Sequence, residues 1–548
     1  MRGLSLGWLT TLVCGLSAAR ADDKPDTKEE TVQPARLGAA RFLNVGRVFS
    51  LAYARDGQFL ASGAWDGSIR VWNLASGAER WKLQGHDGQV DALAFSPDGA
   101  LLVSGGREAG VCLWNLATGK LIRRLGENQE SATMVAFSPD GKQVGAIVRG
   151  ALHLWDAATG KEIWRQGGDR VHRSFAFLGS TEVISIAIQP VKRFREQLVP
   201  VPESRLDLVV WDLKTGKTRG PSRRLEPVVI NRDTTWNNVH APIAIGHAGK
   251  PIAILDSYSY STGESNVDIL DVDARKPARH FKVNRQDITL MCLSPDGRML
   301  ASAGNARAGD GSARVSSCIQ IWEVATGRER CYFRSPDEGK TILAFSPDVR
   351  TMACGSLDTT VLLWDLTGQE TAHGKRAPVR LTATDLDGLW NALKGEDAAN
   401  AYRAIWKLAL APKDALPFLS KHLHAAKSAD AERIQRLIQD LADERFDARD
   451  KAARELAGYR QLAEPALRQA VGKAPRLEVC RRLEQLLERL QTPSPEELQE
   501  MRAVEAVEHM RSPEVEKLLH RLAGGAPAAA LTQDAQASLE RLRARKVE

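Results

Sequence analysis

A tryptophan-centred segment recurs along this chain, and no other feature limits its possible folds as strongly. It reads Ser68-Ile-Arg-Val-Trp-Asn-Leu-Ala-Ser-Gly77, then Gly110-Val-Cys-Leu-Trp-Asn-Leu-Ala-Thr-Gly119, Ala151-Leu-His-Leu-Trp-Asp-Ala-Ala-Thr-Gly160 and Cys318-Ile-Gln-Ile-Trp-Glu-Val-Ala-Thr-Gly327. Apolar residues alternate ahead of each Trp and a Ser/Thr-Gly turn follows, the period of a strand running into a hairpin. Trp72, Trp114, Trp155, Trp211, Trp322 and Trp364 mark six such units. The interval from Trp211 to Trp322 holds two repeats. The missing member is Asn266-Val-Asp-Ile-Leu-Asp-Val-Asp-Ala274, with Leu270 in the Trp place, which brings the count to seven.

A second marker precedes the Trp strand: Ala94-Phe-Ser-Pro-Asp-Gly99, Ala136-Phe-Ser-Pro-Asp-Gly141, Cys292-Leu-Ser-Pro-Asp-Gly297, Ala344-Phe-Ser-Pro-Asp-Val349 and, in the first unit, Ala54-Arg-Asp-Gly57. Proline fixes φ and Asp-Gly closes a tight reversal, so each marks a hairpin between two buried strands. Every unit is therefore four strands.

These motifs resemble the WD-repeat family over roughly residues 35–370, and the resemblance implies a seven-bladed β-propeller. Gly85-His86 carries the family's Gly-His marker. The turn aspartate ahead of the Trp strand appears as Asp66 and Asp358, with Glu108 in its place in unit two. The resemblance implies a structural His/Ser/Asp/Trp hydrogen-bond set, nearly complete only in unit two as His86, Ser104, Glu108 and Trp114. It also implies that the chain's first strand completes the last blade. Ala40-Arg-Phe-Leu43 is placed to lie beside Val361-Leu-Leu-Trp364, which removes the open strand edges.

Beyond about residue 376 the period becomes helical. Ile434, Leu437, Ile438 and Leu441 fall at i, i+3, i+4 and i+7, and the punctuation predicts ten short helices, the first near 385–394 and the last near 532–545. Ser494-Pro-Glu-Glu497 is a capping box with proline at the first helical position, and Ser512-Pro513 opens the next helix in the same way. Asp447-Ala-Arg449, then Ala452, Ala453 and Leu456, then Ala463-Glu-Pro-Ala-Leu467, resemble a HEAT unit of stacked helix pairs. The predicted fold class is a seven-bladed WD-type β-propeller followed by an all-α HEAT-like helical repeat domain. The predicted boundaries are a signal peptide at 1–21, a disordered linker at 22–34, the propeller at 35–370, a linker at 371–381 and the helical domain at 382–548.

The signal peptide is read from Arg2, the apolar run Leu4 to Leu16 and the small-residue site Ala19-Arg20-Ala21. The run is shorter than the roughly 20 residues that span a bilayer. The expectation is an exported protein resembling exported bacterial WD-repeat proteins: periplasmic, in the cell envelope or secreted, and not integral to a membrane after cleavage. A formal charge of +7 over 548 residues, with no basic run, points away from nucleic acid. The six cysteines beyond Cys14 show no disulfide framework and no C-x-x-C.

Reactive motifs do not assemble. Gly3-Leu-Ser-Leu-Gly7 lies in the signal segment. Gly216-Lys-Thr218 and Gly339-Lys-Thr341 lack the first glycine of a phosphate loop. His422 and His424 point to different faces of a helix, and Asp268, Asp271 and Asp273 read as a solvated turn. The expectation is a non-enzymatic protein–protein interaction scaffold with no cofactor and no metal. The alternatives are a propeller that binds a small ligand, glycan or peptide, and a hydrolase with its residues in inserted loops. The resemblance to WD-type blades implies that the partner-binding candidates share one rim: Arg47, Phe49, Trp65, Gln89, Asp91, Arg107 and Leu357. Units four to six add inserts in one and the same connection, at Gln189–Arg205, Asp256–Ser265 and Gly304–Ser317. These contribute Lys192, Arg193, Phe194, Tyr258 and Tyr260, and Trp236 joins them from the link entering unit five.

Overall fold

The computed structural model describes residues 42–44, 46–108, 110–126, 130–168, 170–194, 197–225, 243–245, 252–259, 264–270, 279–283, 286–307, 314–334, 342–368, 370–371, 374–375, 380–472, 477–510 and 512–546. The signal-peptide and first-linker expectations lie outside these residues, as do Trp236, Tyr260, Asp271 and Asp273.

Seven four-stranded antiparallel sheets follow one another along the chain. Blades one to six span 48–83, 90–125, 132–166, 171–225, 243–283 and 286–334. Blade seven takes three strands from 342–365 and its outer strand from the start of the chain, where Phe42 pairs with Val361 and Leu43 with Thr360. That pairing closes the ring.

The Ser-Pro-Asp-Gly marker does what its chemistry predicts. In blade two the Leu101 amide donates to Ser96 Oγ at 2.8 Å, the Ala100 amide to Asp98 Oδ1 at 3.1 Å and the Gly99 amide to the Ser96 carbonyl at 2.9 Å. Gly99 sits at φ 67°, a conformation that favours glycine. Blade seven carries Val349 at that corner, at φ 61°. The strain of a β-branched residue there is offset by burial, because Val349 is fully enclosed in a core shared with the helices.

Strand direction alternates within each blade, so the Ser-Pro-Asp-Gly and Thr-Gly turns share one face of the ring. The connections from second to third strand share the opposite face. We call these the turn face and the loop face. In blades four, five and six the inserts fold as continuations of that second connection: Glu182–Phe194 with Gln197–Asp212, Ile252–Ser259 with Glu264–Leu270, and Met299–Arg307 with Arg314–Glu323. In blade four the ladder runs on to Phe194↔Gln197, whereas the outer strand pairs no further than Leu206.

Ten helices follow among the described residues: α1 Ala383–Lys394, α2 Ala398–Ala409, α3 Pro412–His422, α4 Ala431–Asp440, α5 Phe446–Tyr459, α6 Glu464–Val471, α7 Leu477–Gln491, α8 Pro495–His509, α9 Pro513–Ala523 and α10 Ala530–Lys546. Ser494 forms the predicted capping box with Glu497, and Ser512 accepts from the Glu514 amide. No described helix is long and apolar enough to cross a membrane.

The helices divide into two groups with separate cores. Ile434, Leu437, Leu456, Leu467, Leu483 and Leu490 hold α4–α7 together as an arm. Helices α1–α3 and α8–α10 instead share one continuous core with blades six and seven, where Ile319, Phe333, Met352 and Trp364 pack with Tyr402, Ile405, Trp406 and Val507. The apolar surface of the last two blades is completed by the helices.

Candidate functional site

On the loop face the rim candidates fall into two small groups. In blade one the Trp65 amide donates to the Arg47 carbonyl at 2.9 Å, Arg47 is exposed, Phe49 is half-buried, and Trp65 stands 62% exposed. Asp66 holds this turn, taking the Ser68 amide at 3.1 Å and the Ser68 hydroxyl at 2.7 Å. In blade two the Arg107 amide donates to the Gln89 carbonyl at 3.1 Å, and the Arg107 guanidinium reaches Asp91 at 3.6 Å. Burial raises the Asp91 carboxyl above its usual range, against the pull of Arg107. Gln89 is buried with its amide on Asp91, so it positions that carboxylate and does not present itself to a partner. Leu357 is half-buried at the equivalent place in blade seven. Lys192, Arg193 and Phe194 lie on the extended hairpin of blade four, opposite Val199, Leu198 and Gln197, and Tyr258 lies opposite Ser265 in blade five.

The hydrogen-bond set behind the rim is more widespread than its sequence spacing suggests. In blade two Trp114 Nε1 donates to Ser104 Oγ at 2.8 Å, and His86 Nε2 meets the same hydroxyl at 2.6 Å. Glu108 stays exposed on the loop. Burial, helped by Arg124, lowers the His86 pKa to about 4, so the ring is neutral. Blade four, expected to lack the set, has it: Trp211 Nε1 donates to Ser185 Oγ at 2.7 Å, and His172 Nδ1 lies 3.2 Å from that oxygen. His172 precedes its serine by 13 residues where His86 precedes its own by 18, and that shift hid it from a spacing search.

The turn face of blades six and seven is occupied. Glu323 takes the place that Asn73, Asn115, Asp156, Asp212 and Asp365 hold after the Trp of their strands. Those shorter side chains cap their own turns, as Asp212 does for Thr215 at 2.8 Å. Glu323 reaches further, to Arg330 at 2.7 Å and to Arg502 of α8 at 2.9 and 2.7 Å, with all three side chains buried. Arg330 also grips both oxygens of Glu505, at 2.7 and 2.9 Å. Arg298 binds Glu508 at 2.8 Å and Asp534 at 2.7 Å, and Arg350 donates to the His509 carbonyl at 2.8 Å. Burial alone would raise Glu323 and Glu508. The arginines overcome it and hold both carboxyls far below their usual range. Asp296, Glu505 and His509 come within 4.8 Å of one another here. Arg330 already engages both Glu505 oxygens, so the three belong to the ion network that fixes the helices. A cavity of about 120 Å³ remains beside it, lined by Arg298, Glu323, Arg330, Arg502 and Glu505.

Of the reactive candidates, Asp268 is buried in a blade-five strand, and His422 Nδ1–H donates to the Phe418 carbonyl of its own helix at 2.9 Å. The six described cysteines, Cys112, Cys292, Cys318, Cys331, Cys354 and Cys480, are free thiols.

Fold and repeat chemistry together define the class: a seven-bladed β-propeller of WD repeats followed by an all-α region. The WD domain, G-beta repeat family matches residues 43–73, 77–115 and 333–365, which take in blade one, the first three strands of blade two and the closing blade. No curated protein matches the chain.

Proposed function

We propose that this chain is a non-enzymatic scaffold that binds protein partners through the loop face of its propeller. WD propellers commonly mediate protein–protein interaction, and the asymmetry of the ring supports that reading here. Helices α1–α3 and α8–α10 occupy the turn face at blades six and seven, so the loop face is left to partners. That face carries three extended hairpins and one tryptophan that is 62% exposed beside Arg47. Exposed Trp and Arg on a rigid rim are the residue types that dominate interface energetics. Among the described residues, the buried ion pairs of the turn face are engaged in holding the helices to blades six and seven. The helical region acts as a HEAT-like second surface through its α4–α7 arm. Export, read from residues 1–21, places the scaffold in the periplasm, the envelope or the medium.

The carrying observation is Trp65. Tagged wild type and the Trp65→Ala, Arg107→Ala double variant, cross-linked in the source cells, are expected to recover different partner sets while melting at the same temperature. Identical partner sets would remove the loop face from consideration.

A further inference from the structure

First strands of neighbouring blades lie side by side and form the inner wall of the ring. Among the described residues, the first strands of blades one, two, three, four and six each hold one residue that the ladder skips near the loop-face end. These are Phe49, Asp91, Thr133, Arg173 and Thr289. A bulge of this kind leaves its residue without a cross-strand neighbour and re-aims the side chain. The five therefore hold corresponding places around the loop-face opening of the ring.

Two other arginines of this face have acid partners. Arg107 lies 3.6 Å from Asp91 and Arg149 lies 3.6 Å from Glu130, and both arginine side chains stay exposed. Arg173 differs from them. It is half-buried, its Nε is enclosed with no acceptor, and no carboxylate pairs with it among the described residues. Burial lowers its pKa, and no neighbouring acid opposes the shift. Charges taken out of water are ordinarily paired, and an unpaired one costs stability. The chain keeps the cation at this place without supplying its counter-charge, so the counter-charge is to be sought outside the chain.

We propose that Arg173 receives a single carboxylate, an aspartate or glutamate side chain of a protein partner docked on the loop face. The inference rests on the loop face being the partner surface, and it names the chemistry that the partner brings there. A carboxylate is planar and takes the guanidinium fork through two parallel hydrogen bonds. Its one negative charge matches the one uncompensated cation. A phosphate or a nucleic-acid backbone carries more charge, and Asp91 and Glu130 on the same face disfavour it. Partial burial keeps salt from screening the pair as it would an exposed one.

The test is selection of a random dodecapeptide library, displayed on phage, against the full chain. Selected peptides are expected to share an aspartate or glutamate at one position. Synthetic copies are then titrated by fluorescence anisotropy. Replacing the shared acid by its amide is expected to weaken binding about tenfold or more, and Arg173→Met to weaken it by a similar factor. The two losses should not add, because both remove the same ion pair. Arg173→Met is also expected to melt above wild type, since it removes an unpaired, half-buried charge; an arginine kept for structure alone would make the variant melt lower. An empty selection, peptides with no shared acid, unchanged affinity for Arg173→Met or a lowered melting temperature would each overturn the proposal. Peptides that lose binding to Trp65→Ala but not to Arg173→Met would overturn it and leave the loop-face reading standing, whereas peptides insensitive to both substitutions would remove both.

Discussion

Replacing Arg502 with alanine probes the shared core at its centre. The side chain is 1% exposed and makes four contacts: two to Glu323, at 2.9 and 2.7 Å, and two through Nη1, to the Leu393 carbonyl at 2.7 Å and the Gly395 carbonyl at 2.8 Å. Truncation leaves Glu323 with Arg330 as its remaining arginine and removes the donor at the C-terminal end of α1. Breaking a buried ion pair from one side costs about 3–5 kcal/mol. The Leu393 carbonyl is buried and adds about 1 kcal/mol or more, whereas Gly395 is partly exposed and water can replace its donor. The expected loss is therefore at least about 4 kcal/mol, a large share of the roughly 5–15 kcal/mol that holds a folded protein together. Urea unfolding followed by the helical circular-dichroism signal measures it, and the helical transition should move to lower urea ahead of the blades. Arg502→Lys should not rescue, because a single ammonium cannot reproduce the paired geometry. In a double-mutant cycle with Glu323→Gln the coupling should reach about 2 kcal/mol. A loss under about 1 kcal/mol, within the range of an exposed pair, would refute the assignment of this network as the lock.

Further predictions rest on other contacts. Leu456→Ala, inside the separate core of the arm, should cost about 2–5 kcal/mol and appear as an early transition of α4–α7 that leaves the blades intact in hydrogen exchange. Glu323 and Glu508 ionise in the folded state at lower pH than when unfolded. Their contribution is thus complete above the usual glutamate value of about 4.3 and is lost as pH falls below it; burial lowers the His509 pKa in the same network, so helix docking should be flat above about pH 6.5, weaken below it and fail in stronger acid. His86 works in another window. Its folded value of about 4 lies below the unfolded value of about 6.5, so stability should decline as pH falls between the two, and His86→Asn should flatten that slope.

Much of the propeller was legible because its physics is local. The Trp spacing counted the blades, Ser-Pro-Asp-Gly located their turns, and the shared position of the three inserts matches the three hairpins that extend from one connection. Helix ends were readable wherever a cap was spelled out, as at Ser494 and Ser512. The docking of the helices was not. From Arg502 to His509 helix α8 is buried around its whole circumference, and Arg502, Glu505, Glu508 and His509 are among the enclosed residues. An apolar-stripe search therefore finds no face to orient. The signal lay instead in departures from the repeat: Glu323 where the siblings carry Asn or Asp, and Val349 where they carry glycine. Each is locally unfavourable or oversized and gains part of its compensation from residues more than a hundred positions away, Arg502 for Glu323 and the helical side of the shared core for Val349.

Site-specific photo-cross-linking of the full chain in its source cells tests the central claim most directly. A photoreactive phenylalanine analogue is placed at Trp65 and at Leu357 on the loop face, and at Thr118 and Lys142 on the turn face of blades two and three. The account predicts protein adducts from positions 65 and 357, weakened by Arg107→Ala, and none from 118 or 142. Adducts from the turn-face positions, with none from the loop face, would contradict it.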